Sequence, residues 1–129
     1  MKYTVNKEEK YTVFSLDEDN LNSLLAPDLK SQFVILSNEG VKNLILDLSN
    51  VKFVDSSGLS AILTADRLWK QIGTFIVSGI EHPSVQKLIK ISRIDTVLTI
   101  IPTVSEAIDY IFMDELERDL NANEQEEDA

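Results

Sequence analysis

Two adjacent hydroxyls beside a carboxylate, in Asp55-Ser56-Ser57-Gly58-Leu59, are the residues of this chain best placed to do chemistry. They stand where an apolar, strand-like run gives way to a helical pattern. Upstream, Asn43 to Leu48 followed by Val51 to Val54 is aliphatic and β-branched enough for a strand buried on both faces and its exit. Downstream, Ala61, Ile62, Ala65, Leu68, Trp69 and Ile72 recur at helical spacing, and Ser60, Thr64, Arg67, Lys70 and Gln71 fill the other face. That junction makes Ser56 or Ser57 the expected N-cap, with Gly58 allowing a sharp backbone turn. A helix N-terminus offers unpaired N–H groups and a partial positive charge, so a phosphate carried by a serine there is well accommodated.

A serine at a strand-to-helix turn is also how α/β-hydrolases display their nucleophile, but the parts for that chemistry are missing. Gly-x-Ser-x-Gly is required, and Val54 and Asp55 stand where its first two residues belong around Ser56. His82 is the only histidine, and it precedes Pro83 in what reads as a turn. There is no Walker loop, no Gly-x-Gly-x-x-Gly and no Cys/His cluster. No enzymatic activity, catalytic residue, cofactor or metal site is therefore expected. Asp47 is expected at the carboxyl edge of the sheet, paired or solvated, and Trp69 in the core. Ser78-Gly79 ends a strand, where open α/β sheets bind ligands, a weak pointer to a site. Asp66 and Arg67 read as a solvated helix face.

The elements that must position the serines follow from punctuation. Tyr3 to Val5 and Tyr11 to Leu16 flank Lys7 to Lys10 as an N-terminal β-hairpin. Helices are expected from Pro27 to Glu39, after Ser57, after Pro83 and from Val104 to Leu116, with strands at Leu44–Leu48, Thr74–Val77 and Val97–Ile101. Pro27, Pro83 and Pro102 each read as lying just inside a helix start. Gly40 and Gly73 read as left-handed residues after helix ends. Strands alternating with helices predict an α/β single domain: a mainly parallel sheet with an N-terminal hairpin and four helices.

With 129 residues, 43% of them hydrophobic, the chain can bury one core. It has no cysteine, which excludes disulfides and thiolate metal sites and fits a reducing cytosol. The opening residues lack the pattern of a secretory leader, and no run approaches the ~20 apolar residues of a membrane span, so a soluble, cytoplasmic protein is expected. The net charge of −10 is concentrated at one end. From Asp114 onward eight acidic residues face only Arg118, giving −7 and leaving −3 for the rest. Asn121 to Ala129 has almost nothing to bury, so the domain is expected to span 1–118 and residues 119–129 to form an acidic, disordered tail that solubilises the chain or docks on a basic partner. This balance disfavours direct nucleic-acid binding.

Asp55-Ser-Ser-Gly-Leu59, preceded by Leu44-Ile-Leu-Asp-Leu-Ser49 and followed by Ala61-Ile-Leu63, resembles the STAS domains of bacterial anti-sigma factor antagonists, with looser similarity from about Tyr3 to Met113. The resemblance implies a STAS-like fold and a partner switch. By motif position Ser57 is the serine phosphorylated by an anti-sigma factor that is also a serine kinase. Unphosphorylated, such a protein binds the anti-sigma factor and releases the sigma factor. Asn22, Asp55, Ser56, Gly58 and Leu59 are the implied partner-binding residues. Where many members carry Gly-x-Leu-Asp, this chain reads Asp19-Asn-Leu-Asn22, so Asn22 keeps an acceptor oxygen and drops a charge. The same fold also serves as a scaffold module in stressosome-like complexes or as a transporter accessory subunit, neither requiring an anti-sigma kinase. The sequence leaves the oligomeric state, the partner's identity and any nucleotide or lipid ligand open.

Overall fold

The computed structural model describes the backbone of residues 1–128 and side chains through Asn123. Strands β1 (Tyr3–Lys7) and β2 (Thr12–Leu16) form the expected antiparallel hairpin, with Tyr3 opposite Leu16 and Lys7 opposite Thr12. Thereafter β4 (Asn43–Asp47), β6 (Thr74–Ser78) and β7 (Thr99–Ile101) each join in parallel, giving the order β1-β2-β4-β6-β7. Two further strands of two residues each, β3 (Asn20–Leu21) and β5 (Phe53–Val54), pair in parallel as a separate ribbon that the sequence pattern does not announce.

Helices α1 (Ala26–Asn38), α2 (Ser56–Trp69) and α3 (Pro83–Ser92) cover one face of the sheet. Alternation along the strands explains why. Phe14, Leu44, Leu46, Phe75 and Val77 point to that side and pack with Leu29, Phe33, Ala61, Ile62, Ala65 and Trp69. The intervening residues Val13, Ile45 and Ile76 point to the other face, where they pack with Ala107 and Ile111 of α4 (Val104–Asp128), bordered by Tyr11, Ile101, Val104 and Ile108. Strands buried on both faces need the continuous apolar runs that the sequence supplies.

Several local expectations are corrected. Pro102 lies before the last helix, which Thr103 starts: its Oγ1 accepts from Glu106 N–H at 3.1 Å. Gly73 has no positive φ. It is glycine because a Cβ there would overlap the Lys42 carbonyl oxygen, and only Gly40 meets the left-handed expectation, at φ 89°. Asp66 is buried rather than solvated, and pairs with Lys70 at 3.4 Å. A 3-10 turn at Ile94–Thr96 precedes β7, which begins at Thr99 rather than Val97.

The longest departure is α4. Expected to end near Leu116, it continues through Asp128, so the backbone of the segment expected to be disordered is helical up to that residue. No glycine or proline follows Pro102, the run is rich in helix formers, and Asp114 pairs with Arg118 at 3.3 Å one turn on. Residues 119–123 are exposed throughout. The side chains from 124 onward, and Ala129 altogether, lie outside the described residues.

Candidate functional site

The end of β5 and the start of α2 are fixed by backbone bonds to the chain around Asp19. The N–H groups of Lys52 and Phe53 both donate to the Asp19 carbonyl, at 2.8 and 3.0 Å, and Asp55 N–H donates to the Leu21 carbonyl at 3.2 Å. Asn20 registers with Phe53 and Leu21 with Val54, so the next residues in line are Asn22 and Asp55. Two segments more than thirty residues apart in sequence are thereby held side by side.

Asp55 is the N-cap of α2, a correction to the expectation that Ser56 or Ser57 would be. Its carboxylate accepts from Gly58 N–H at 2.9 Å with its own backbone extended, and its carbonyl accepts the first helical bond, from Leu59 N–H, at 3.0 Å. Ser56 and Ser57 then occupy the first and second helical positions, where neither N–H has an acceptor within the helix. Ser57 is thus released from capping and half-exposed, while Ser56 is exposed. With the helix dipole behind them, these N–H groups make the position receptive to an anionic group on the serine oxygen.

Gly58 has a different reason from the expected sharp turn. It is buried, and a Cβ there would lie 2.6 Å from the Leu21 carbonyl oxygen and 2.8 Å from the Leu21 and Val54 side chains. The same carbonyl receives Asp55 N–H, so glycine at 58 lets α2 start tightly against β3. Leu59 is half-buried against the main core. Asn22 turns the chain into α1: its Oδ1 accepts from Leu24 N–H at 3.0 Å and its carbonyl from Ala26 N–H at 2.8 Å. All six residues singled out in the sequence therefore gather at one end of the molecule, with Gly58 and Leu59 supporting it from within.

Two residues of this end were missed. Leu24, 84% exposed, follows Asn22, and Phe53, 54% exposed, precedes Asp55. A lone apolar residue in a turn and one in a two-residue strand carry no periodic signal, and only the β3–β5 pairing brings their segments to the same end. Phe53 leans on the His82 ring, 5.4 Å between centroids, and His82 caps α3 by accepting from Ser84 N–H at 3.3 Å. Beside Leu24 lies an open cleft of about 450 Å³ lined in part by Asn22 and by Asp17, Glu18 and Asp19, whose carboxylates disfavour a free phosphate ligand.

The other candidate positions are structural. Asp47 accepts from Ser15 Oγ at 3.1 Å and from Ser49 N–H at 3.0 Å. Gly79, at φ 74°, packs so closely on Asp47 and Ser49 that a Cβ would overlap both side chains, which fills the strand end where a ligand had a weak claim. Trp69 is fully buried and donates to the Val41 carbonyl at 3.0 Å. Among the described residues no group of three or more His, Cys, Asp or Glu side chains could hold a metal ion, and no helix is long and apolar enough to cross a membrane.

Comparison with known proteins gives the family background. The STAS domain family matches residues 3–107. A Thermotoga neapolitana protein named as a candidate anti-sigma factor antagonist is 27% identical over 74 residues, 57% of this chain and 66% of its own length. The chain thus spans just under two thirds of that curated relative. An anti-sigma factor antagonist from Mycobacterium paratuberculosis superposes with a TM-score of 0.72 at 23% identity, covering 85% of this chain and 92% of that one. The Bacillus cell fate determinant SpoIIAA in its phosphorylated form superposes with a TM-score of 0.64 at 20% identity, over 85% and 99% of the respective chains.

Proposed function

Because the chain belongs to the STAS domain family, we propose that it is a cytoplasmic anti-sigma factor antagonist that binds an anti-sigma serine kinase and is switched off by phosphorylation of Ser57. The observation that carries this reading is the division of labour at the start of α2. Asp55 supplies the cap, which leaves the Ser57 hydroxyl free for a kinase. Names borne by relatives, anti-sigma factor antagonist and phosphorylated SpoIIAA, support the same assignment.

In the unphosphorylated state, exposed Leu24 and Phe53, on the two segments paired at this end, offer apolar anchors, and Asn22, Asp55 and Ser56 supply polar contacts at their rim. A phosphoryl group on Ser57 adds a charge of about −1.5 to −2 next to Asp55. The helix N-terminus tolerates that charge in the free protein, whereas a closed interface must desolvate it beside a carboxylate. A penalty of roughly 3 kcal/mol corresponds to ~150-fold in affinity, sufficient for a switch. The role needs no catalysis, cofactor or direct contact with nucleic acid or membrane.

Incubation with the cognate anti-sigma kinase and ATP tests the proposal. Phosphopeptide mapping is expected to find one phosphate, on Ser57. Modification of Ser56 instead, or none by a kinase that demonstrably binds, would overturn it, and binding without modification would fit a constitutive scaffold module.

A further inference from the structure

The body-facing side of α4 is used up early. Val104, Ala107, Ile108 and Ile111 meet the sheet, and one turn later Asp114 accepts from Thr74 Oγ1 at 3.1 Å and Glu115 from Asn43 Nδ2 at 2.7 Å. On the outward side stand Met113, Leu116 and Leu120, 58%, 52% and 54% exposed. Their spacings of three and four align them in one stripe, about 140–200° around the helix from Ile111 at roughly 100° per residue. Of the exposed carboxylates, Glu117 flanks it about 40° further round, and Asp109 stands in line with it one turn before Met113.

Charge selects what can cover such a stripe. A second copy would set −7 against −7 over the same segment, and an anionic bilayer would repel it for the same reason. A helix with an apolar seam and basic flanks matches both features: its seam lies along Met113, Leu116 and Leu120, and its Lys or Arg residues reach the bordering carboxylates. We propose that the outward face of α4 is a second docking surface, for a basic amphipathic helix of a protein partner. It lies across the sheet from α2, so it can be occupied together with the Ser57 end and independently of Ser57 phosphorylation.

The test uses the full chain and a synthetic helical peptide with leucines at heptad a and d positions and lysines elsewhere. NMR shift changes are expected to centre on Met113, Leu116 and Leu120, and affinity to fall with added salt. The combined variant Met113→Ser, Leu116→Ser, Leu120→Ser keeps every charge and is expected to lose at least ~10-fold in affinity. A second variant, Asp109→Lys with Glu117→Lys, keeps the apolar stripe and is expected to weaken binding as well. Equal affinity for the serine variant and the parent chain, equal binding of a peptide with glutamates replacing the lysines, or shift changes centred elsewhere would overturn the proposal. So would a stripe-dependent homodimer in sedimentation, or stripe-dependent binding to phosphatidylglycerol vesicles.

Discussion

α2 and α4 lie on opposite faces of one sheet and are held in opposite ways. The 14 residues of α2 bury six positions, from Gly58 against β3 to Trp69 among Phe33 and Phe75. α4 is 25 residues long, yet of its described side chains only Ala107 and Ile111 are buried. A helix packed along its whole length fixes the direction of its N-terminus, so the N–H groups around Ser57 keep one geometry. A helix attached by its first turns leaves its remaining length as accessible surface. Rigidity at one site and availability at the other follow from how many core positions each helix fills.

Substitutions that weaken the contrast have graded effects. Trp69→Ala removes the largest side chain buried on α2 together with its bond to Val41, and is expected to destabilise the chain by about 3–5 kcal/mol in denaturant unfolding. Gly58→Ala forces a Cβ onto the Leu21 carbonyl and is expected to cost about 1–3 kcal/mol, with the Asp55 amide losing hydrogen-exchange protection as β3 is pushed away. Asp55→Ala removes the cap and is expected to cost about 1 kcal/mol, whereas Ser57→Ala, at a non-capping position, is expected to cost less; the reverse order would move the cap back to the serine. At the other helix, truncation after Leu120 removes no described buried side chain and is expected to change stability by less than ~0.5 kcal/mol. A large fall in melting temperature would make the terminal segment part of the folded unit.

Most of the parallel sheet was legible because apolar runs ending in turn residues identify strands buried on both faces, as for Leu44 to Leu48. The position of Ser57 at a helix start was equally plain. What escaped was decided by contacts between distant segments. Aspartate and serine are comparably good caps, and it is the bond from Asp55 to Leu21, 34 positions earlier, that settles which of them starts α2. Gly58 and Gly73 are required by close approach to backbone that sequence spacing cannot foresee. Leu24 lies in a turn and Phe53 in a two-residue strand, both too short for periodicity to mark. The length of α4 was underestimated because a low apolar content argues against burial, which is a different matter from whether a chain free of glycine and proline can stay helical.

The central claim is that charge on Ser57 breaks a partner interface which the unmodified hydroxyl permits. Calorimetric titration of the anti-sigma kinase, without nucleotide, into the chain carrying phosphoserine at 57 tests it most directly, with the unmodified chain and a phosphoserine-56 chain as references. The account predicts roughly 100-fold weaker binding for phosphoserine at 57 and a smaller loss for the exposed position 56. Equal affinity of the kinase for the unmodified and the 57-phosphorylated chain would contradict it.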